Sequence, residues 1–297
     1  MGRRLTVRVP ATTANVGSGF DCLGMAFDLY DELTLELVED AAELSIEVHG
    51  AGEGRVALDE RHLVVSSLLV GLDEWGGQRP GLRLVCRNSI PHSRGLGSSA
   101  AAIVAGLAFA WAIARPGEAL DRSELTRVSS RLEGHPDNAG AAVWGGAILA
   151  WFDATDVRLV NLEVHPDLGV RVWVPEFEVG TAGARSVLPE SVPRADAVAQ
   201  AIASAALPLA LERRPDLLLA ATADRLHQAY RAPLMPQAWE LMGSLRKAGV
   251  PAAISGAGPA VLAIGTAEQL ALADATACPG FRRLELRVGP GVSLDEG

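Results

Sequence analysis

Apolar and polar residues alternate along Leu5–Val9, Leu33–Leu37, Leu44–Val48 and Leu82–Arg87, and this period of two predicts strands with one buried face. From His62 to Trp75 the apolar residues recur at three- and four-residue spacing, which predicts a helix. Ser98 to Ala114 carries no charge and is rich in alanine. Following a glycine loop directly, it reads as a buried helix rather than a membrane span. Asp121-Arg122-Ser123-Glu124 has the form of a capping box, so a helix is expected from about Arg122 to Leu132. Pro136 suits the first turn of another helix, ending before Gly145-Gly146. Ala147–Phe152, Val157–Val164 and Val170–Val174 read as strands. Arg194 to Ala248 reads as mainly helical, with breaks expected near Pro208, Pro215 and Pro233-Leu234-Met235-Pro236. Ala252–Ser255, Ala260–Ile264 and Arg282–Val288 are expected strands, with a helix near Ala267–Thr276. Strands and helices mix without strict βαβ alternation, so the fold class is α+β.

The 297 residues are 49% hydrophobic and 21% charged, enough for a proper core and unlike a disordered chain. Against 26 basic residues stand 36 acidic ones, a net charge of −10, and no basic stripe is visible, so nucleic acid is not an expected partner. Cys22, Cys86 and Cys278 are far apart and form no metal or redox pattern, which suits a reducing, cytoplasmic setting. Met1-Gly2 fits a lipidation pattern, but the strand expected at Leu5 leaves no room for a flexible anchor. No apolar run follows Arg3-Arg4, so neither an export signal nor a membrane partner is expected.

The chemistry concentrates in Ile90-Pro91-His92-Ser93-Arg94-Gly95-Leu96-Gly97-Ser98-Ser99-Ala100-Ala101-Ala102. A strand feeds a glycine loop, and the loop feeds a helix near Ser98. Gly95 and Gly97 let backbone approach a ligand closely. Ser98 and Ser99 stand where a helix leaves its first N–H groups unpaired, a place that favours phosphate. The alternative is a plain turn with an N-cap. A Walker A loop is excluded, because the only lysine is Lys247. A dinucleotide fingerprint lacks its third glycine here.

This stretch, Pro10-Ala11-Thr12-Thr13-Ala14-Asn15-Val16-Gly17-Ser18-Gly19-Phe20-Asp21-Cys22-Leu23-Gly24, and Ser255-Gly256-Ala257-Gly258-Pro259 resemble the three motifs of the GHMP small-molecule kinases, in the family's order. Glu133-Gly134-His135-Pro136-Asp137-Asn138, Ala184-Arg185-Ser186-Val187-Leu188-Pro189 and His227-Gln228-Ala229-Tyr230-Arg231 narrow the resemblance to the homoserine kinases among them. It implies an N-terminal ATP-binding domain like ribosomal protein S5 over residues 1–153 and a ferredoxin-like C-terminal domain over 154–297. It also implies ATP as co-substrate, Mg²⁺, L-homoserine as the small-molecule substrate, a place in threonine biosynthesis and a homodimer.

By the same resemblance, Pro91, His92, Ser93, Arg94, Gly95, Leu96, Gly97, Ser98, Ser99, Ala100 and Ala101 bind ATP. Ser99 and Glu133 hold the metal. Glu133 also falls in the last turn of its expected helix, where the macrodipole disfavours an anion and a cation would compensate. Asn15, Asp21, His135, Asn138, Arg185 and Arg231 bind the substrate, Asp21 taking its ammonium and the two arginines its carboxylate. Asn138, Thr181 and Arg185 are the catalytic candidates. Asp137 is the tempting base, yet its place in a helix's first turn lowers its basicity. Direct transfer is therefore expected, with the hydroxyl proton passing to a phosphate oxygen. His62 falls where many members carry an asparagine near adenine, which leaves nucleotide choice open. Two alternatives remain: a GHMP kinase for another small alcohol, or an inactive sensor of the same fold.

Overall fold

The computed structural model describes residues 3–154 and 156–297, with side chains for all of these except Thr181 and Ala182. The Met1-Gly2 pattern therefore lies outside the described residues. The class is α+β, as expected, with two sheets.

The larger sheet is built on two long strands, β1 (Arg4–Asn15) and β2 (Gly19–Val38), paired antiparallel. The expected strands Leu5–Val9 and Leu33–Leu37 are their regular halves. The other halves hold most of the Pro10–Gly24 motif, where the register slips at Pro10/Thr12 and Ala14/Asn15. Such bulges bend a strand and re-aim its side chains. β3 (Leu44–Gly50) pairs parallel with β4 (Gly81–Asn88), the connection being α1 (Leu63–Trp75). β5 (Ala147–Phe152) pairs with β2 and with β6 (Val157–Leu162). β11 (Ser293–Glu296), which no sequence pattern announced, returns to the edge of β1. The expected domain break at 153/154 thus falls in the turn joining β5 to β6, inside the larger sheet.

α2 (Ser98–Ala114) is the central helix of this layer, and every residue from Ala100 to Ala112 except Ala102 is buried. Small residues permit that depth: a Cβ on Gly106 would stand 2.3 Å from the Val64 carbonyl oxygen of α1. α3 (Arg122–Glu133) is capped by Asp121, whose Oδ1 accepts the Ser123 and Glu124 N–H groups at 3.0 and 3.1 Å. The box is not closed, because the Glu124 carboxylate turns to Arg127 and Trp75. α4 (Pro136–Trp144) begins at the expected proline.

The smaller sheet has the order β10 (Phe281–Leu286), β7 (Gly169–Pro175), β9 (Val261–Gly265), β8 (Ala252–Ile254). α5 (Thr181–Ser186), α6 (Arg194–Glu212), α7 (Leu218–Ala221) and α8 (Gln228–Arg231) follow β7 in the chain, α6 packing on α7 and on β6 of the larger sheet, while α9 (Pro236–Lys247) and α10 (Ala267–Asp274) pack on the smaller sheet. The break expected at Pro208 does not occur, and α6 runs through it. Leu207, Ala210 and Leu211 on either side are fully buried, and their packing offsets the ~3 kcal/mol an interior proline costs.

Candidate active site

The loop between β4 and α2 is fixed at both ends. Asp31 of β2 accepts the Ser89 and Ile90 N–H groups through Oδ1 at 2.7 and 2.8 Å. Its burial pushes the carboxyl pKa up to about 6. At the other end Gly97 takes φ 68° and opens α2 with no side-chain cap, so the first-turn N–H groups remain available to an anion. The glycines answer to the protein as well as to a ligand. A Cβ on Gly95 would meet the Ser255 carbonyl oxygen at 2.1 Å, and one on Gly97 the Thr12 Oγ1 at 1.9 Å. Ser255 also donates to the Gly95 carbonyl at 2.6 Å, so the Ser255–Pro259 turn supports the loop from below.

Two clefts meet at this helix terminus. One, of about 300 Å³, is lined by Val9, Leu33, Val56, Val64 and Ala102, and also by Asp31 and His62. The other, of about 140 Å³, is lined by Asn15, Asp21, Glu133, His135, Asp137, Asn138, Arg185 and Arg231. Ser93, Ser98 and Ser99 line both. Of the expected nucleotide loop, His92 and Ala101 face the first cleft, and Gly95 and Gly97 the second. Pro91, Arg94, Leu96 and Ala100 face neither. Leu96 and Ala100 are core residues. The Arg94 guanidinium is engaged within the protein. It donates to Pro175 O and His92 O at 2.8 Å, to Glu178 Oε1 at 3.0 Å, and also to Glu176 O.

Glu133 ends α3 beside α2. Ser99 Oγ donates to its Oε1 at 2.6 Å, while Oε2 is buried without a partner among the described residues. Burial raises its pKa, against the Ser99 hydrogen bond and the charge of His135. An orphaned, desolvated carboxylate oxygen beside a hydroxyl is a fit for a hard cation, and Mg²⁺ takes few protein ligands when phosphates supply the rest.

Asp137 is 1% exposed, and its Oδ1 faces both His135 Nδ1 and the Asn138 N–H at 2.7 Å. For His135, burial lowers the pKa, but the hydrogen bond and charge of Asp137, with Glu133, outweigh it and raise the net value. Thr12, a residue the sequence reading passed over, is wholly buried and donates from Oγ1 to Asn138 Oδ1 at 2.9 Å. That contact occupies the amide oxygen and leaves Nδ2 as the group Asn138 can offer the cleft. Only the bulge at Pro10/Thr12 brings Thr12 there.

Asn15 and Asp21 both adopt positive φ, 69° and 57°. Asn15 Oδ1 accepts the Asp21 N–H at 3.0 Å, and its Nδ2 donates to Gly256 O at 2.8 Å. Asn15 thus braces the motif as well as lining the cleft. Asp21 is paired with Arg185 from α5, Nη2 to Oδ1 at 2.8 Å and Nη1 to Oδ2 at 3.0 Å. Arg231 is only 2% exposed. Its Nε donates to Ala184 O at 3.0 Å, and its Nη1 lies 3.1 Å from His227 Nδ1 and 3.4 Å from Gly256 O. His227 thus braces Arg231. Thr181 opens α5, and its side chain lies outside those described. His62 is 7% exposed with its Nδ1 unpartnered among the described residues.

An anion seated on the α2 amides would have an apolar cleft on one side and a charged cleft on the other. A nucleotide fits the first, and a small polar acceptor the second. The class so defined is a small-molecule phosphotransferase. Residues 62–146 match the GHMP kinases N terminal domain and residues 206–277 the GHMP kinases C terminal domain. A homoserine kinase of Cutibacterium acnes is 50% identical, with 98% of this chain and 99% of the relative covered. One of Rhodococcus erythropolis is 46% identical, covering 99% of this chain and 96% of the relative. The crystal structure of homoserine kinase from Cytophaga hutchinsonii superposes with TM-score 0.82 at 27% identity, over 98% of this chain and 97% of that one. The chain belongs to the GHMP kinases, on the branch of the homoserine kinases.

Proposed function

We propose that this kinase moves the γ-phosphoryl group of ATP to the side-chain hydroxyl of L-homoserine, giving O-phospho-L-homoserine for threonine biosynthesis. The meeting of an apolar and a charged cleft at Ser98 and Ser99 supports this assignment most directly. The first-turn amides of α2 hold phosphate, and the apolar cleft takes the base, with His62 Nδ1 within its lining. Glu133 and Ser99 would hold Mg²⁺, which when bound neutralises phosphate charge and orients the transferred group. Asp21 takes the substrate ammonium, and Arg185 and Arg231 take its carboxylate; His135 closes the cleft beside them. A mevalonate-like acceptor has no ammonium for Asp21, which favours an amino acid.

Asn138 donates through Nδ2 to the acceptor oxygen, because Thr12 occupies its Oδ1. A hydroxyl that accepts this hydrogen bond keeps its proton directed away from Asn138. Asp137 is engaged by His135 and a backbone N–H. The proton therefore goes to a phosphate oxygen as the bond to the leaving group breaks. Positioning and charge stabilisation carry the rate. Thr181 near the transferred phosphate, a homodimer and a cytoplasmic location follow from the family and belong to the same proposal.

The test is ADP release by purified protein with L-homoserine, L-serine, L-threonine, mevalonate and galactose in parallel. Turnover with homoserine that stops on chelation and returns with Mg²⁺ is expected. Turnover with another alcohol instead would reject the roles of Asp21, Arg185 and Arg231.

A further inference from the structure

The two groups assigned to opposite ends of the substrate are bonded to each other. Both carboxylate oxygens of Asp21 and both terminal nitrogens of Arg185 are used, at 2.8 and 3.0 Å, in the parallel geometry that makes such pairs strong. The pair joins β2 to α5 across the charged cleft, and both side chains are more than a third exposed, at 37% and 39%. The backbone that carries Asp21 is held in place, its N–H donated to Asn15 and its φ at 57°. A second guanidinium, Arg231, and two further carboxylates, Glu133 and Asp137, line the same cleft.

We propose that the Asp21–Arg185 pair is a filter for zwitterions, opened only by a ligand that carries both charges. The proposal rests on the homoserine assignment. A zwitterion breaks one ion pair and makes two, its ammonium on Asp21 and its carboxylate on Arg185. A lone cation breaks one and makes one, and it strands Arg185 beside Arg231, a like charge. A lone anion strands Asp21 in a cleft that already holds Glu133 and Asp137. Neither half-ligand gains net pairing, so each is rejected by repulsion as well as by missing contacts. Burial and then the charge of Arg185 hold the Arg231 pKa below its ordinary value, so the two guanidinium groups already feel each other.

Simple contact sites and an exchanging pair predict opposite results for single variants. The probes are 3-aminopropan-1-ol, which is homoserine without its carboxylate, and 4-hydroxybutanoate, which is homoserine without its ammonium. Ligand-observed NMR titration reads their millimolar affinities. The Arg185→Ala variant frees Asp21 and is expected to bind the amino alcohol about fivefold or more tightly than the wild type does. The Asp21→Ala variant frees Arg185 and is expected to bind 4-hydroxybutanoate with a similar gain, about the worth of a partly exposed ion pair. Both variants lose homoserine affinity. Should either alanine variant unfold, Arg185→Gln and Asp21→Asn, which remove the charge and keep most of the side chain, carry the same comparison. If either half-ligand binds its variant no better than wild type, the filter is overturned. Failure of the wild type to bind homoserine would instead overturn the substrate assignment, while gains by both variants would still establish the exchanging pair.

Discussion

At the scale of single residues, the site separates groups that touch substrate from groups that aim them. Asp137 looked like a base in the sequence, yet its Oδ1 faces His135 and the Asn138 N–H. We expect Asp137→Asn to keep kcat within about tenfold, whereas loss of a general base costs about a hundred- to ten-thousandfold; steady-state kinetics decides. Thr12 has the opposite profile. Nothing in its type or spacing marks it, and only the slip in register turns it under Asn138. Thr12→Val is expected to lower kcat about tenfold or more while both KM values stay nearly constant, and Thr12→Ser to restore it. Equal change in KM and kcat would show disturbed packing instead. Asn15, Asp21, His135, Asn138, Arg185 and Arg231 were legible through their motifs, and they line one cleft. Their mutual pairing was not legible, because β2 and α5 are far apart in the chain. The direction of the Arg94 side chain was not legible in the sequence, since it depends on carbonyls of a strand end far along the chain.

At the scale of elements, regular segments with a single period were legible nearly to the residue, as α1, β4 and α4 show. The failures have physical causes. Pro208 forecast a break that buried neighbours on both sides prevent. β11 is four residues long, too short for a period to register. Asp31 joins two elements, tying β2 to the entrance of the nucleotide loop, and it carries a pH signature. Its folded pKa of about 6 exceeds the ~3.9 of an unfolded aspartate. A raised acid binds protons more tightly in the folded state. Its contribution is therefore fully present below pH ~4 and is lost as pH rises to ~6. Asp31→Asn keeps the acceptor oxygen and removes the charge. We expect it to stabilise the protein at pH 7.5 by up to ~3 kcal/mol, with the gain vanishing near pH 4. Denaturant unfolding at the two pH values checks this, and a gain equal at both would refute the burial argument.

At the scale of the molecule, the two sheets are not two beads on a string. β11 follows every strand of the smaller sheet in sequence but completes the larger one, where Leu5–Arg8 face Ser293–Glu296 in register. On the way, the Val292 N–H is held by Ala142 O at 2.8 Å, so this returning segment buttresses α4, the helix that bears Asp137 and Asn138. Truncation after Val288 is expected to lower the melting temperature by roughly 5 °C or more and to reduce turnover, although every proposed catalytic group is retained. Calorimetry with a parallel activity assay tests both effects, and unchanged turnover would free α4 from this support. The order of synthesis gives the same connection a further meaning. As the chain leaves the ribosome, the edge of β1 stands open until the whole smaller sheet has been made. Through that interval it is a template for any neighbouring strand. A late nonsense codon would thus yield a polypeptide that keeps every proposed catalytic group but leaves the edge of β1 permanently exposed.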